Sequence, residues 1–160
     1  MKKIICLIFL ILLSFSGCAK KSPEVTPVTT GLKFNAQITS GEQKLNCSVK
    51  IDANGNMQMK IDQIEYLFSG NNVTINYADI SHKTEISALP KNTYTDLLYI
   101  IFNSISKSGK SVISDDKQYY ISNSTDKYEY TCFFAKTGIP LKIEEKNFGI
   151  IATITGSVIT

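Results

Sequence analysis

The sequence predicts an α+β fold, mainly β: a curved antiparallel sheet, in effect a half-barrel meander, with one amphipathic helix packed on it. Three observations carry this expectation. Apolar and polar residues alternate with period two through most of the chain after residue 31, the pattern of strands with one face in a core and one in water. Clusters of Asn, Gly and Asp interrupt the alternation every ~8–12 residues, which is the spacing of a meander. Once only, between residues 92 and 107, the period changes to helical spacing.

The strands follow in order. Phe34, Ala36 and Ile38 alternate with polar neighbours, and Leu45, Cys47, Val49 and Ile51 do the same. A turn at residues 52–56 contains Asn54-Gly55, a strong hairpin signal between alternating runs. Met57, Met59 and Ile61 continue the apolar phase, then Ile64, Tyr66 and Phe68, and, after a turn at residues 69–72, Val73, Ile75 and Tyr77. Pro90 separates the sheet from the helix. There Tyr94, Leu97, Leu98, Ile101 and Ile105 share one face; Asn92 or Thr93 suits the N-cap, Asp96 the first turn, and Ser108-Gly109 the stop. The Ile-rich residues 99–102 leave a strand open as the alternative. Tyr119 and Ile121 lead to a turn at 123–127. Tyr128, Tyr130, Cys132 and Phe134 follow, then Ile139, Leu141 and Ile143 after Gly138, and a last strand over residues 150–159. A helix laid on the apolar face of such a sheet keeps that face dry.

Residues 1–31 read differently. Lys2 and Lys3 precede ten consecutive apolar residues, 4–13, and a small-residue stretch ends at Cys18. This is a secretory signal pattern, too short for a stable membrane span. Ser16-Gly17-Cys18 resembles the lipobox of bacterial lipoproteins, with Phe15 where that family usually has Leu. The resemblance implies cleavage after residue 17 and lipidation of Cys18, giving an extracytoplasmic protein anchored in the cell membrane; two acyl chains suffice for stable attachment. An ordinary secretory signal is the alternative. Residues 18–31, with Pro23 and Pro27, read as the lipidated Cys and a flexible tether. Residues 32–160 are then a single domain, long enough for one core.

Composition narrows the function. All 17 basic residues of the 160 are Lys. Without Arg the chain lacks the bidentate phosphate and base contacts of a nucleic-acid binder. Loss of the signal leaves the remaining side chains at about +1, so the basicity is partly the signal's own.

Candidate chemistry is sparse. His82 is the only imidazole, and no Cys/His cluster has the makings of a zinc site. The segment beginning at Asp52 opens like a calcium loop, but Met57 stands where Gly is required and Gln63 where Glu is required. Asp115-Asp116 and Glu144-Glu145 are adjacent pairs beside turns, and neighbours on a strand point to opposite faces; they read as solvated charge. We therefore expect no enzyme, no metal and no cofactor. Cys47 and Cys132 both fall on the apolar phase, and three states stay open for them: buried free thiols, an intramolecular disulfide, or an intersubunit bond. The aromatic residues read mostly as core; Met57, Met59, Tyr66 and Phe68 are also the candidate ligand-binding residues, since soft Met and rigid aromatic side chains suit an acyl chain or an apolar helix.

The signal and anchor, the long meander, the helix inserted midway and the segment Gly138-Ile139-Pro140-Leu141 together resemble the LolA/LppX-like lipoprotein superfamily. The resemblance implies a half-barrel that can hold lipid or acyl chains. Small anchored relatives include germination lipoproteins, which imply a partner-binding use of the same fold in spore germination or envelope maintenance. Two functions are therefore expected: a non-enzymatic binding module for an envelope protein, or a carrier or sensor of lipid on the concave face. A homodimer formed by exchange around the helix is an open arrangement.

Overall fold

The computed structural model describes residues 25–91, 93–108, 112–113 and 119–160, without the side chains of 107–108 and 112–113. The expected signal, Cys18, the tether up to residue 24, Asn92, Gly109 and Asp115-Asp116 lie outside the described residues.

Eleven strands form one sheet: β1 (Leu32–Ser40), β2 (Gln43–Ile51), β3 (Met57–Ile61), β4 (Ile64–Ser69), β5 (Asn72–Tyr77), β6 (Ile80–Glu85), β7 (Val112–Ile113), β8 (Tyr119–Ser124), β9 (Glu129–Phe134), β10 (Pro140–Glu145) and β11 (Ile150–Ile159). The helix α1 (Tyr94–Ser108) lies between β6 and β7 in the chain. Every pairing is antiparallel. The sheet is open and curled, mainly β with one α-helix, as the sequence predicts. Its order is β6-β5-β4-β3-β2-β1-β11-β10-β9-β8-β7. The first and last strands therefore meet in the middle, and two meanders run outward from that seam to the edges β6 and β7.

Local chemistry explains the turns. The Asp52 carboxylate accepts hydrogen bonds from the backbone N–H groups of Asn54 and Asn56, at 2.8 and 2.9 Å, and from Asn56 Nδ2 at 2.8 Å. This ties off the β2–β3 turn as an Asx-type turn, and the same bonds, Asn56 Nδ2 foremost, hold the carboxyl below its ordinary value. At the seam the register slips between Lys33 and Asn35 opposite β11, and Gly156, at φ 61°, sits in that slip. A glycine in the left-handed region is what such a bulge requires.

The core lies between α1 and one face of the sheet. Leu97, Leu98, Ile101, Phe102 and Ile105 of α1 are all buried, spaced three and four apart so that they form one stripe. Thr93 Oγ1 accepts from Asp96 N at 3.2 Å, so Thr93 serves as a cap. Beneath the stripe lie Phe34, Ile38, Val49, Met59, Tyr130 and Cys132, each 4% exposed or less. Phe102 meets Phe34 at 5.4 Å between ring centroids, and Tyr99 stacks on Phe68 at 4.6 Å.

Two expectations need correction. Leu141 does not join Ile143 in the core: it is 46% exposed, because the register shifts between Pro140 and Lys142 and reverses which residues face inward. Residues 25–31, expected as free tether, are seated: Val25 and Val28 pack against the core, and Val28 N donates to Gly138 O at 2.8 Å. Gly138, at φ 80°, has no room for a side chain, since a Cβ there would stand 2.1 Å from Thr26 O.

Candidate functional site

The four candidate ligand residues divide. Met57, Met59 and Phe68 point from β3 and β4 into the core, at 4%, 0% and 2% exposure. The stripe of α1 covers them, and Tyr99 occupies the face of Phe68. Tyr66 alone is half-buried. A cleft of about 270 Å³ lies between the β2–β3 turn, Thr29, Thr30, Phe102 and Ser106 and touches only Met57 of the four; an open hollow of about 340 Å³ beside Asp52, Gln58 and Leu67 touches Met57 and Phe68. Drug-sized ligands occupy pockets of about 300–1,000 Å³. Where Phe34, Met59 and Phe68 face inward, the concave face is filled by the protein's own helix.

The helix does not reach the corner of that face formed by β4, β5 and β6. Register runs Ile64–Tyr77–Ile80 and Tyr66–Ile75–His82 across those strands. Tyr77 is 50% and Ile80 68% exposed, so an apolar corner stays open beside the sheet edge. The edge itself has defined chemistry. Ile86 N donates to Asn71 O at 2.9 Å. Bonded pairs alternate along an antiparallel ladder, so Thr84, His82 and Ile80 turn their backbone groups toward β5, and Ser81, Lys83 and Glu85 turn theirs outward. Six residues of β6 pair with β5, and no other strand borders β6. His82 sits exposed on this strand.

Cys47 and Cys132 are both free and buried. The intramolecular disulfide is not made: β2 and β9 lie four strand spacings apart, about 19 Å along the sheet, where bridged Cα atoms lie within about 7 Å. Burial pushes the Cys47 thiol up to about 11, partly opposed by a hydrogen bond with the Ala36 backbone. Burial also raises the Cys132 thiol. Such thiols are held neutral, the opposite of an activated nucleophile.

Among the described residues two carboxylates are buried, and the alternation pattern marks neither. Glu145, read from sequence as solvated charge, is 2% exposed. It accepts from the backbone N–H groups of Glu129, Asn147 and Phe148, at 3.3, 3.0 and 2.7 Å. It therefore shapes the β10–β11 turn, while Glu144 pairs with Lys142 on the other face. Asp96, 6% exposed, accepts from Tyr128 Oη at 2.9 Å and joins α1 to the start of β9. The only sequence signals for these were an acidic residue in a first helical turn and one beside a hairpin. No group of three or more His, Cys, Asp or Glu among the described residues is arranged to hold a metal ion.

The geometry thus leaves an open sheet edge beside an exposed apolar corner. No protein-family profile matches the chain, and no curated protein matches it in sequence.

Proposed function

We propose that the protein is a lipoprotein anchored through Cys18 on the extracytoplasmic face of the cell membrane, and that its folded domain is a non-enzymatic binding module for an envelope protein. The resemblance to germination lipoproteins gives spore germination or envelope maintenance as the setting. The observation that carries the reading is the β6 edge: the backbone groups of Ser81 and Lys83 face outward next to the apolar corner of Tyr77 and Ile80. A partner's extended segment can add there as a further strand, its backbone meeting β6 and its apolar side chains meeting the corner. Lys83, on the rim, selects against acid-poor strands and limits pairing of one copy with another. The core under α1 favours this reading over a lipid carrier, because Met57, Met59 and Phe68 are buried and Tyr99 of the helix stacks on Phe68.

The test is photocrosslinking in whole cells of the source organism. A photoreactive residue at Ser81 should capture one envelope protein, and the same group at Thr131, on the far half of the sheet, should not. Lys83→Pro removes an outward N–H while sparing the β5 ladder, and it should abolish the Ser81 adduct. Equal capture from both positions, or capture that survives Lys83→Pro, sinks edge docking. A Cys18→Ser protein that still fractionates with membranes sinks the anchor.

A further inference from the structure

The sheet face turned away from α1 carries a second arrangement that strand docking does not use. Its side chains stand in register rows across the strands. One row runs Tyr120–Phe133–Lys142–Thr153–Gln37–Asn46 through β8, β9, β10, β11, β1 and β2. The next runs Thr155–Asn35–Ser48–Lys60 through β11, β1, β2 and β3. Amide and hydroxyl side chains from both rows, with Lys60 and a single carboxylate, Asp62, line an open hollow of about 590 Å³ floored by Ala36 and Cys47. A second hollow, of about 330 Å³, adjoins it around Lys33, Lys50 and Lys60.

The lysines are arranged at a cost. Lys33 faces Lys50 directly across β1 and β2, and like charges so placed repel. The ion pairs among the described residues are Lys142–Glu144 and Lys146–Glu129, so none of the three lysines is in one. Lys60 faces Glu65 in register and its charge helps hold that carboxyl below its ordinary value, after the hydrogen bonds from Asn76 Nδ2 at 2.9 Å and Gln58 Nε2 at 2.6 Å, without forming an ion pair with it.

We infer that this face binds a linear anionic glycan laid across the strands. Asn35, Gln37, Asn46, Thr153 and Thr155 can each donate and accept, as the hydroxyl and acetamido groups of a sugar chain require. Lys33, Lys50 and Lys60 supply the counter-charge for carboxylates on the chain. Tyr120 and Phe133, with ring centroids 6.2 Å apart, close the row with half-buried ring surface for the apolar face of a sugar. Lys142 Nζ lies over Phe133 at 5.7 Å from the ring centre, which leaves Tyr120 as the freer platform. From Phe133 to Asn46 the row crosses four strand spacings, about 19 Å, the length of a short oligosaccharide. A protein partner would want an apolar centre of the patch, and here the centre is amide and hydroxyl. The β6 edge plays no part, so this inference stands or falls separately from strand docking.

The full chain, purified in detergent, is titrated with carboxylate-bearing glycan strands from peptidoglycan, with the neutral hexamer of N-acetylglucosamine and with polyphosphate. Saturable binding of the carboxylated strands is expected, with the neutral hexamer bound at least about tenfold more weakly. Gln37→Ala with Asn46→Ala should weaken binding of the carboxylated strands about tenfold. Lys33→Gln, Lys50→Gln and Lys60→Gln together should reduce it to the level of the neutral hexamer. These side chains are exposed, so unchanged melting of the variants will separate lost binding from lost folding. The inference is overturned if neither glycan saturates the protein. It is equally overturned if polyphosphate binds as tightly as the glycan and survives the amide substitutions, for the face would then be a plain cation patch.

Discussion

Strands β1 and β6 are both paired residue for residue with a neighbour, yet they live in different surroundings. Along β1, Leu32, Phe34, Ala36 and Ile38 are all at most 3% exposed, in strict alternation with exposed or half-exposed residues. Along β6 no side chain is buried. The difference is the footprint of α1. The helix lies over the seam and the strands beside it, and β6 is beyond its reach. Backbone pairing makes a strand; what covers its face decides which side chains it can carry. At the seam the sheet is a wall of the core. At β6 it is an accessible edge.

The comparison can be broken at its strong end. Phe34→Ala removes a fully buried ring and its contact with Phe102, and should cost about 4 kcal/mol of unfolding free energy, read from urea midpoints at constant slope. A loss below about 1 kcal/mol would mean that α1 does not clamp the seam.

A pH titration sharpens the same contrast through Cys47. Its folded thiol is raised to about 11 from an ordinary 9.0, so above pH 9 the unfolded chain gives up that proton first. The stability contributed by the neutral thiol is whole below pH 9 and should be lost between pH 9 and about 11. In Cys47→Ala the decline over that window should be shallower. An unchanged slope would relocate the effect to other groups.

The smallest effect belongs to the edge. Ile80→Ser should change stability by no more than about 0.5 kcal/mol while weakening capture of the docking partner. A large loss of stability would show that the β6 corner is covered after all.

The same contrast explains what was legible in the sequence. Alternation reports burial, so β1, β2 and β3 declare themselves through Phe34, Val49 and Met59. The run Ile80-Ser81-His82-Lys83-Thr84-Glu85 has one apolar residue and declares nothing, although its backbone pairing is complete. The turn at residues 52–56 is legible because Asp52, Asn54 and Gly55 carry its chemistry themselves. Glu145 is not, because its partners are backbone groups of a turn, and backbone has no letter in the sequence. Leu141 misleads because a single register slip beside Pro140 inverts the phase. For the candidate ligand residues, period two correctly turned Met57, Met59 and Phe68 toward the concave face. That the helix of the same chain fills that face depends on contacts far apart in sequence, such as Phe102 on Phe34.

The seam between β1 and β11 also sets a timetable. Chains emerge from the ribosome N-terminus first, and residues 32–40 must wait more than a hundred positions for their partner at 150–159. Until the final strand arrives, the hairpins from β1 to β6 can zip locally, but the middle of the sheet has a missing slat. Such long-range closure is slow, so completion of the sheet is timed by the arrival of β11 rather than by the hairpins on either side of it.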